Sequence, residues 1–245
     1  MAIPSSHHVR IARVSRALAP LALLGGLFFV TPGIASAQDG DAAEQEPVAT
    51  PQERWQALHE HLVAGEKRKL KKALEAPDVL DAVSEDGKGL AFLAAYGKDP
   101  ELVGLLLARR PDLEAVDADE LTPLIFAAKR DNALAVAALA TAGAALDKTD
   151  PGGRTALIHA AVDGNLGACR ALVEAGADVN LRDRNGADAL IYAAAKGFYD
   201  IPKLLLDNGA DPKTRTTGGE TALSLARRKN AQRVERLLVR HGAEP

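Results

Sequence analysis

TALIHAA at residues 155–161 decides the fold, because the chain repeats it at a constant spacing. Its counterparts are TPLIFAA (122–128), DALIYAA (188–194) and TALSLAR (221–227), so the first position of the motif recurs every 33 residues. A helix pair of this length cannot bury its apolar face alone and stacks on its neighbours. The spacing therefore predicts an all-α solenoid of stacked helix-turn-helix units.

The second half of each repeat recurs as well, and in successive copies it reads LATAGAALD, LVEAGADVN, LLDNGADPK and LVRHGAEP. A weaker copy at 90–114 keeps the same register, and a degenerate copy lies at 57–77. These strings resemble ankyrin repeats, whose signature is TPLHxAA followed by glycine, an apolar helix and Gly-Ala-Asp. The resemblance implies an ankyrin-repeat solenoid whose units are joined by short β-hairpin-like turns.

The register divides the chain into repeats with a cap at each end. It predicts a degenerate capping repeat at 53–83, repeats at about 84–116, 117–149, 150–182 and 183–215, and a C-terminal capping repeat at 216–245. In the last repeat Arg227 and Glu235 occupy positions that are apolar in earlier repeats, which predicts a polar cap. Pro202 lies in the second helix of its repeat and predicts that this helix begins late or bends.

The first 37 residues have the pattern of a cleaved secretory signal peptide. Arg10, Arg13 and Arg16 precede an apolar stretch at 17–30, and Ala35-Ser36-Ala37 forms a cleavage site. The alternative is an uncleaved anchor, for which the apolar stretch is short. We expect export to a bacterial periplasm, no membrane span in the mature chain, and a monomer when no partner is present. Residues 38–52 are acidic and poor in large apolar side chains, which predicts a disordered linker.

The sequence contains no arrangement typical of catalysis, metal binding or cofactor binding. His59 and His61 are two positions apart, whereas ligands on one helix face need a spacing of four. Cys169 is the single cysteine and lies in the apolar register of a helix, where a packing thiol is expected rather than a redox centre. Beyond position 37 the chain keeps all its acidic residues and carries a net charge of about −6, which disfavours nucleic acid. We expect no enzyme activity, no metal and no cofactor.

The resemblance also implies a partner-binding surface, because ligands of ankyrin-like proteins contact the turn tips and the first helices along a concave groove. We carry this over by register to a set that we call the groove residues. They are Lys88, Tyr96, Asp119, Leu121, Phe126, Lys129, Arg130, Arg154, His159, Asp163, Arg184, Asn185, Tyr192, Lys196, Arg228 and Lys229. Phe126, His159 and Tyr192 share one register, where they form either an aromatic groove floor or packing between repeats.

A basic-rimmed groove suits an acidic surface or an extended acidic peptide of another protein. The leading hypothesis is a non-enzymatic periplasmic scaffold that acts as an adaptor, or as an inhibitor or immunity protein. The alternative is an envelope-associated structural protein whose basic residues, including KRKLKK at 67–72, bind anionic cell-wall polymer or lipid headgroups. Phe198 and Tyr199 are expected either to form an exposed contact patch or to pack onto the neighbouring repeat.

Overall fold

The computed structural model describes residues 49–244, and within this range the chain is built from paired α-helices. A single 3-10 turn, Val79–Asp81, precedes the first regular repeat. The helices are α1 Pro51–Val63, α2 Lys67–Ala73, α3 Leu90–Tyr96, α4 Pro100–Leu107, α5 Pro123–Lys129, α6 Ala133–Thr141, α7 Ala156–Asp163, α8 Leu166–Ala175, α9 Ala189–Lys196, α10 Asp200–Asp207, α11 Ala222–Arg228 and α12 Gln232–Arg240. The all-α solenoid predicted from the spacing is confirmed.

The N-terminal boundary differs slightly from the predicted one. Helix α1 begins at Pro51, two residues inside the segment predicted as linker. Thr50 and Glu53 form a capping box there, and Pro51 supplies a first helical residue that needs no amide hydrogen bond. The predicted signal peptide at 1–37 and the linker as far as residue 48 lie outside the described residues.

The helices of successive repeats form two stacks. The first helices α3, α5, α7, α9 and α11 each contact the next, and the second helices α4, α6, α8 and α10 do the same. Alanine pairs such as Ala127-Ala128 and Ala160-Ala161 are fully buried between the first helices. Because their side chains are small, adjacent backbones approach closely, and the larger core is supplied by residues such as Leu157 and Leu172.

Each first helix from α5 onward begins at a buried residue that caps it. Thr122, Thr155 and Thr221 accept hydrogen bonds from backbone N–H groups one turn ahead, at 3.2, 3.2 and 3.1 Å. Asp188 occupies the same position before α9 and accepts one from Ile191 at 2.8 Å. These caps satisfy amides that the helix itself leaves free. The second carboxylate oxygen of Asp188, however, is buried and has no hydrogen-bond partner within residues 49–244.

We expect Asp188→Thr to stabilise the protein by about 1 kcal/mol at neutral pH, because it keeps the cap and removes a buried charge. Burial raises the pKa of the Asp188 carboxyl and outweighs the hydrogen bond from Ile191 and the neighbouring Thr214 hydroxyl, both of which favour the ionised form. A raised pKa in the folded state means that stability is lost as the pH rises through it, so the gain from threonine should shrink towards pH 4. Urea unfolding of both proteins between pH 4 and 7 measures the difference.

The reciprocal variant Thr155→Asp is the matched control, because Thr155 is equally buried and caps α7 in the same way. It should lose stability at pH 7 and lose less at pH 4. Equal stability of Asp188→Thr and the wild type at both pH values would contradict the assignment of a buried carboxylate at this cap.

The turns between repeats are held by backbone hydrogen bonds. In successive repeats the turn closes with Asp117 N to Leu121 O at 3.1 Å, Asp150 N to Arg154 O at 3.0 Å and Asp183 N to Ala187 O at 2.9 Å. Neighbouring turns also bond to each other, as in Arg184 N to Gly152 O at 3.1 Å. Of the described residues only Arg215 and Thr221 form a β-bridge, so the turns are hairpin-like without becoming strands.

Asparagines link the central repeats through what we call the asparagine ladder. Asn132 donates from its side chain to the carbonyls of Ala95 and Gly97, at 2.9 and 2.7 Å. Asn165 repeats this one repeat later with the carbonyls of Ala128 and Lys129, at 2.9 and 3.0 Å. Each side chain thus donates to carbonyl groups that are left free at the end of the first helix of the preceding repeat. The ladder stops at the next two equivalent positions, which hold Phe198 and Ala231.

The departures in the last two repeats have the predicted consequences. Helix α10 begins at Asp200, one residue later in register than α8, so that Pro202 falls within its first turn. Arg227 and Glu235 are bound to each other at 2.8 Å on the outside of the final helix pair. The final helix pair therefore carries polar side chains at the two positions where a polar cap is expected from the sequence. No helix among residues 49–244 has the length and apolar character needed to cross a membrane.

Candidate protein-binding surface

The structure sorts the groove residues into three groups by exposure. Lys88 and His159 are buried, and five others are half-buried: Tyr96, Leu121, Phe126, Arg154 and Tyr192. The exposed members are Asp119, Lys129, Arg130, Asp163, Arg184, Asn185, Lys196, Arg228 and Lys229. A surface for partners can be built only from the exposed and half-buried groups.

Lys88 does not lie at an exposed turn tip as predicted. It is 8% exposed, and its ammonium group pairs with Asp86 and lies 3.4 Å from Asp117 in the next turn. Two carboxylates from adjacent turns therefore neutralise it. Burial would lower the pKa of Lys88, but the two carboxylates outweigh this and raise it. Lys88 joins neighbouring repeats and offers little charge to a partner.

Phe126, His159 and Tyr192 share a register but do not stack on one another. His159 Nε2 lies 2.9 Å from Asp150 Oδ2, and Tyr192 donates its hydroxyl hydrogen to Asp183 Oδ2 at 2.6 Å. Each polar ring is thus tied to the aspartate nine positions earlier, at the turn of its own repeat. The continuous aromatic floor, one of the two expectations for this register, is not formed, because the second and third rings bind carboxylates instead of neighbouring rings.

Burial lowers the pKa of His159, and the positive charges of Lys129 and Arg154 act in the same direction against Asp150. The imidazole is therefore neutral at neutral pH. The contact between His159 and Asp150 holds the turn that begins at Asp150 in place.

Asp183 is the centre of a polar cluster that spans two repeats. Its fully buried carboxylate accepts from Tyr192 and from the backbone of Asn185 and Ala187, at 2.6, 2.8 and 3.1 Å. Arg154 reaches over from the preceding repeat, 3.5 Å from Asp183 Oδ2 and 3.1 Å from the Tyr192 hydroxyl. Burial would raise the pKa of Asp183, but the hydrogen bonds together outweigh burial and lower it. Arg154 is consequently a structural bridge as well as a surface residue.

A group of aromatic rings covers the N-terminal end of the first-helix stack, and we call it the aromatic cluster. Tyr96 packs against Phe126 with ring centroids 4.9 Å apart, and His59 meets the edge of Tyr96 at 5.1 Å. Trp55 stacks on His59 at 5.0 Å, and Phe92 meets Phe126 at 5.7 Å. The sequence singled out only Tyr96 and Phe126, because the other rings come from α1 and from a different face of α3.

Arg130 lies on top of this cluster. Its guanidinium carbon is 4.9 Å from the centroid of Tyr96 and 5.5 Å from that of Phe126. Cation–π contacts of this kind hold the flat face of the side chain. Within residues 49–244 Arg130 has no carboxylate partner, and neither do Lys129, Lys196 and Lys229. Arg228 differs, because Glu220 pairs with it.

The same surface contains two open clefts. One, of about 510 Å³, is lined by Trp55, Tyr96, Gln52 and Gln56 together with the turn that contains Lys88. The other, of about 330 Å³, lies between the last two repeats, where Tyr192, Ala195 and Leu225 form an apolar floor beside Arg228 and Glu220. The exposed basic residues and the two clefts together form what we call the groove surface.

Phe198 and Tyr199 do not form the exposed contact patch that was one of the two expectations. Both rings are half-buried against the core. Gly164 of the preceding repeat faces Phe198 so closely that a Cβ atom there would lie 2.6 Å from the ring. Tyr199 turns the other way, towards the last helix, where Arg233 covers it. The alternative expectation, packing onto neighbouring repeats, is the one observed.

The remaining candidates for chemistry are accounted for by packing. Cys169 is fully buried, and burial raises the pKa of its thiol to about 12, so it is not a reactive thiolate. His61 lies 2.9 Å from Glu66, whereas His59 belongs to the aromatic cluster. Among residues 49–244 no group of three or more histidine, cysteine and carboxylate side chains is arranged to hold a metal ion.

Two family models match the sequence, and both describe ankyrin repeats. A family model described as "Ankyrin repeats (3 copies)" matches residues 91–183, and one described as "Ankyrin repeats (many copies)" matches residues 172–226. Together the two matches span residues 91–226, which lie within the stretch that the 33-residue spacing assigns to repeats. No curated protein matches the sequence.

Proposed function

Because the chain belongs to the ankyrin repeat family, whose repeats generally mediate protein–protein interaction, we propose that it is a non-enzymatic scaffold that binds another protein through its groove surface. The observation that carries this proposal is a set of four exposed basic side chains at the ends of α5, α9 and α11, namely Lys129, Arg130, Lys196 and Lys229. They have no carboxylate partner within residues 49–244, in a chain that is acidic overall. Arg130 is the strongest anchor, because the aromatic cluster already orders its side chain.

The chemistry of the groove surface favours an acidic protein partner. An arginine stacked on aromatic rings keeps its N–H edges free for a carboxylate, and it loses little conformational entropy when one binds. Arginine and tyrosine are also the side chains that most often dominate binding energy at interfaces. Lys129 and Lys196 would add longer-range attraction that speeds encounter. The apolar floor of the cleft between the last two repeats would accept side chains that flank the acidic residues.

We place this interaction in a bacterial periplasm, on the basis of the signal-peptide pattern at 1–37. The partner would be an envelope enzyme or a toxin, and the protein would serve as its adaptor, or as its inhibitor or immunity protein. An inhibitor would bury a large complementary area and bind tightly, whereas an adaptor can act through a smaller and more polar interface.

Affinity capture from an envelope extract tests the proposal, with residues 38–245 as bait. We expect one protein to be retained by the wild type at moderate salt and lost by the variant Lys129→Glu, Arg130→Glu, Lys196→Glu and Lys229→Glu. All four side chains are exposed, so the variant should fold normally. Arg228 is left unchanged because its reversal would place two acids side by side with Glu220.

The matched control reverses four exposed basic residues elsewhere: Arg68, Lys71, Lys72 and Arg170. It should retain the same protein as the wild type. Loss of the protein from the control and not from the groove variant would overturn the proposed site and place binding at α2 or at Arg170 on α8. Retention on cell-wall polymer or anionic lipid instead, with steep weakening by salt, would favour the envelope-associated alternative.

A further inference from the structure

A second basic site lies outside the groove surface, where α12 packs against the start of α10. Tyr199, Arg233, Arg236, Leu237 and Arg240 line a small cleft of about 170 Å³. Leu237 forms its buried floor, and no acidic residue lines it. We call it the arginine cleft. The arginines are spaced at 233, 236 and 240, a spacing that places all three on one face of the helix.

Two of the three arginines are already oriented. The guanidinium carbon of Arg233 lies 4.2 Å above the centroid of Tyr199, the shortest such contact among residues 49–244. Arg236 donates from Nε to the backbone carbonyl of Gln232 at 3.3 Å. Stacking and this hydrogen bond restrict the side chains, so that a ligand would not bear the full cost of ordering them.

The nearby acids do not neutralise the cleft. Glu235 on the same helix is bound to Arg227, and Asp207 on α10 is bound to Lys203. Asp200, which follows Tyr199, is exposed and does not line the cleft. None of the three arginines of the cleft forms an ion pair with any residue in the described range. Three positive charges therefore converge on a space that is large enough for a compact anion.

Helix stability accounts for Arg240, which lies in the last turn of α12, but not for the other two arginines. Arg233 lies in the first turn of α12, where the helix dipole disfavours a positive charge. Arg236 and Arg240 are four residues apart, and like charges at that spacing repel each other. A polar cap needs charge for solubility, but mixed charges would provide it without the repulsion. A bound anion would reduce the repulsion among these positive charges.

We propose that the arginine cleft binds a phosphate group. Two or three guanidinium forks match the oxygens of a phosphate, which carries a charge of about −1.5 to −2 near neutral pH, more closely than those of a single carboxylate. Tyr199 holds Arg233 in place from below, and Leu237 limits the depth of the cleft. The phosphate belongs to a small soluble anion or to a lipid headgroup, and these two sources share the same recognition chemistry.

A titration of the purified protein with inorganic phosphate tests the proposal, with sodium chloride added to keep the ionic strength constant. We expect saturable NMR shifts of the Arg233, Arg236 and Arg240 side-chain N–H signals and a higher melting temperature. Arg236→Gln with Arg240→Gln should weaken binding at least about tenfold, because each charge-assisted hydrogen bond to an anion is strong. Both side chains are exposed, and circular dichroism confirms that the variant is folded.

Arg109→Gln with Arg170→Gln is the matched control, since it removes the same charge from exposed positions outside the cleft. It should bind phosphate as the wild type does. An equal loss in the control, or shifts that do not saturate, would overturn the proposal. Sedimentation with phosphatidylglycerol vesicles separates the sources: co-sedimentation that the cleft variant loses assigns a lipid headgroup, and its absence beside phosphate binding assigns a soluble anion. Neither outcome depends on the groove surface, so the two proposals fail independently.

Discussion

Replacing Leu172 by aspartate should prevent the repeat domain from folding. Leu172 is fully buried in α8, in the middle of the continuous core. Loss of this leucine alone creates a cavity that costs about 2–5 kcal/mol, and the unpaired buried carboxylate adds a further penalty. Domains of this size have a total stability of about 5–15 kcal/mol, so the sum is comparable with the whole. Circular dichroism and urea unfolding would show a molten or unfolded chain.

Two variants make this result interpretable. Arg170→Asp introduces the same residue into the same helix at an exposed position, and it should change stability by no more than about 0.5 kcal/mol. Leu172→Ala should remain folded with a free energy of unfolding lower by about 3 kcal/mol. This variant separates the cost of the cavity from the cost of the buried charge. A native-like melting curve for Leu172→Asp would show that α8 does not pack as described.

The second large effect is expected at Asp183. Asp183→Ala should cost about 3 kcal/mol or more, because it leaves the Tyr192 hydroxyl and the backbone N–H groups of Asn185 and Ala187 without their acceptor. Arg154 would lose its bridge between repeats in the same step. Urea unfolding gives the free energy. Tyr192→Phe removes the hydroxyl that bonds to Asp183 and Arg154 but leaves the backbone hydrogen bonds of Asp183 in place, so it should cost less, about 1–2 kcal/mol.

The pH dependence provides an independent check on Asp183. The folded state lowers the pKa of this carboxyl, so its contribution is present above the unfolded pKa and is lost as the pH falls through the folded one. Stability of the wild type should therefore decrease below about pH 4, the range in which unfolded aspartate titrates. Asp183→Asn should lack part of this decrease. Identical acid unfolding of the two proteins would contradict an ionised, hydrogen-bonded Asp183.

The local features of the fold were predictable from the sequence for a physical reason. A cap such as Thr155 binds an amide three residues ahead, so both partners lie within one short stretch of sequence. The turns close between residues four apart, which makes them equally local. The end of the solenoid at Arg227 and Glu235 was also predictable, because the register shows which positions face a neighbouring repeat. These features depend on spacing alone.

The surface was less predictable, because its interactions join distant repeats. Arg154 and Tyr192 are 38 positions apart, and their contact depends on side-chain conformations that periodicity does not determine. Lys88 looked like a free tip residue because its second partner, Asp117, comes from the next turn. Trp55 and His59 were missed as members of the aromatic cluster because the degenerate first repeat obscures their register. The arginine cleft could not be predicted from the sequence, because it forms only where α12 lies against Tyr199.

The interrupted asparagine ladder has a consequence for how the molecule comes apart. In a solenoid each unit is stabilised by its nearest neighbours, so the weakest coupling determines where opening starts. Asn132 and Asn165 lock the three units before position 182 together, whereas the equivalent sites at Phe198 and Ala231 carry no such lock. The repeat at 150–182 is still joined to the next one by Arg154 at 3.5 Å from Asp183 and by Asn180 at 3.1 Å from Gly209 O. Heat or force should therefore open the last repeat first, and the three repeats linked by the ladder, which carry Arg130, should stay folded longest.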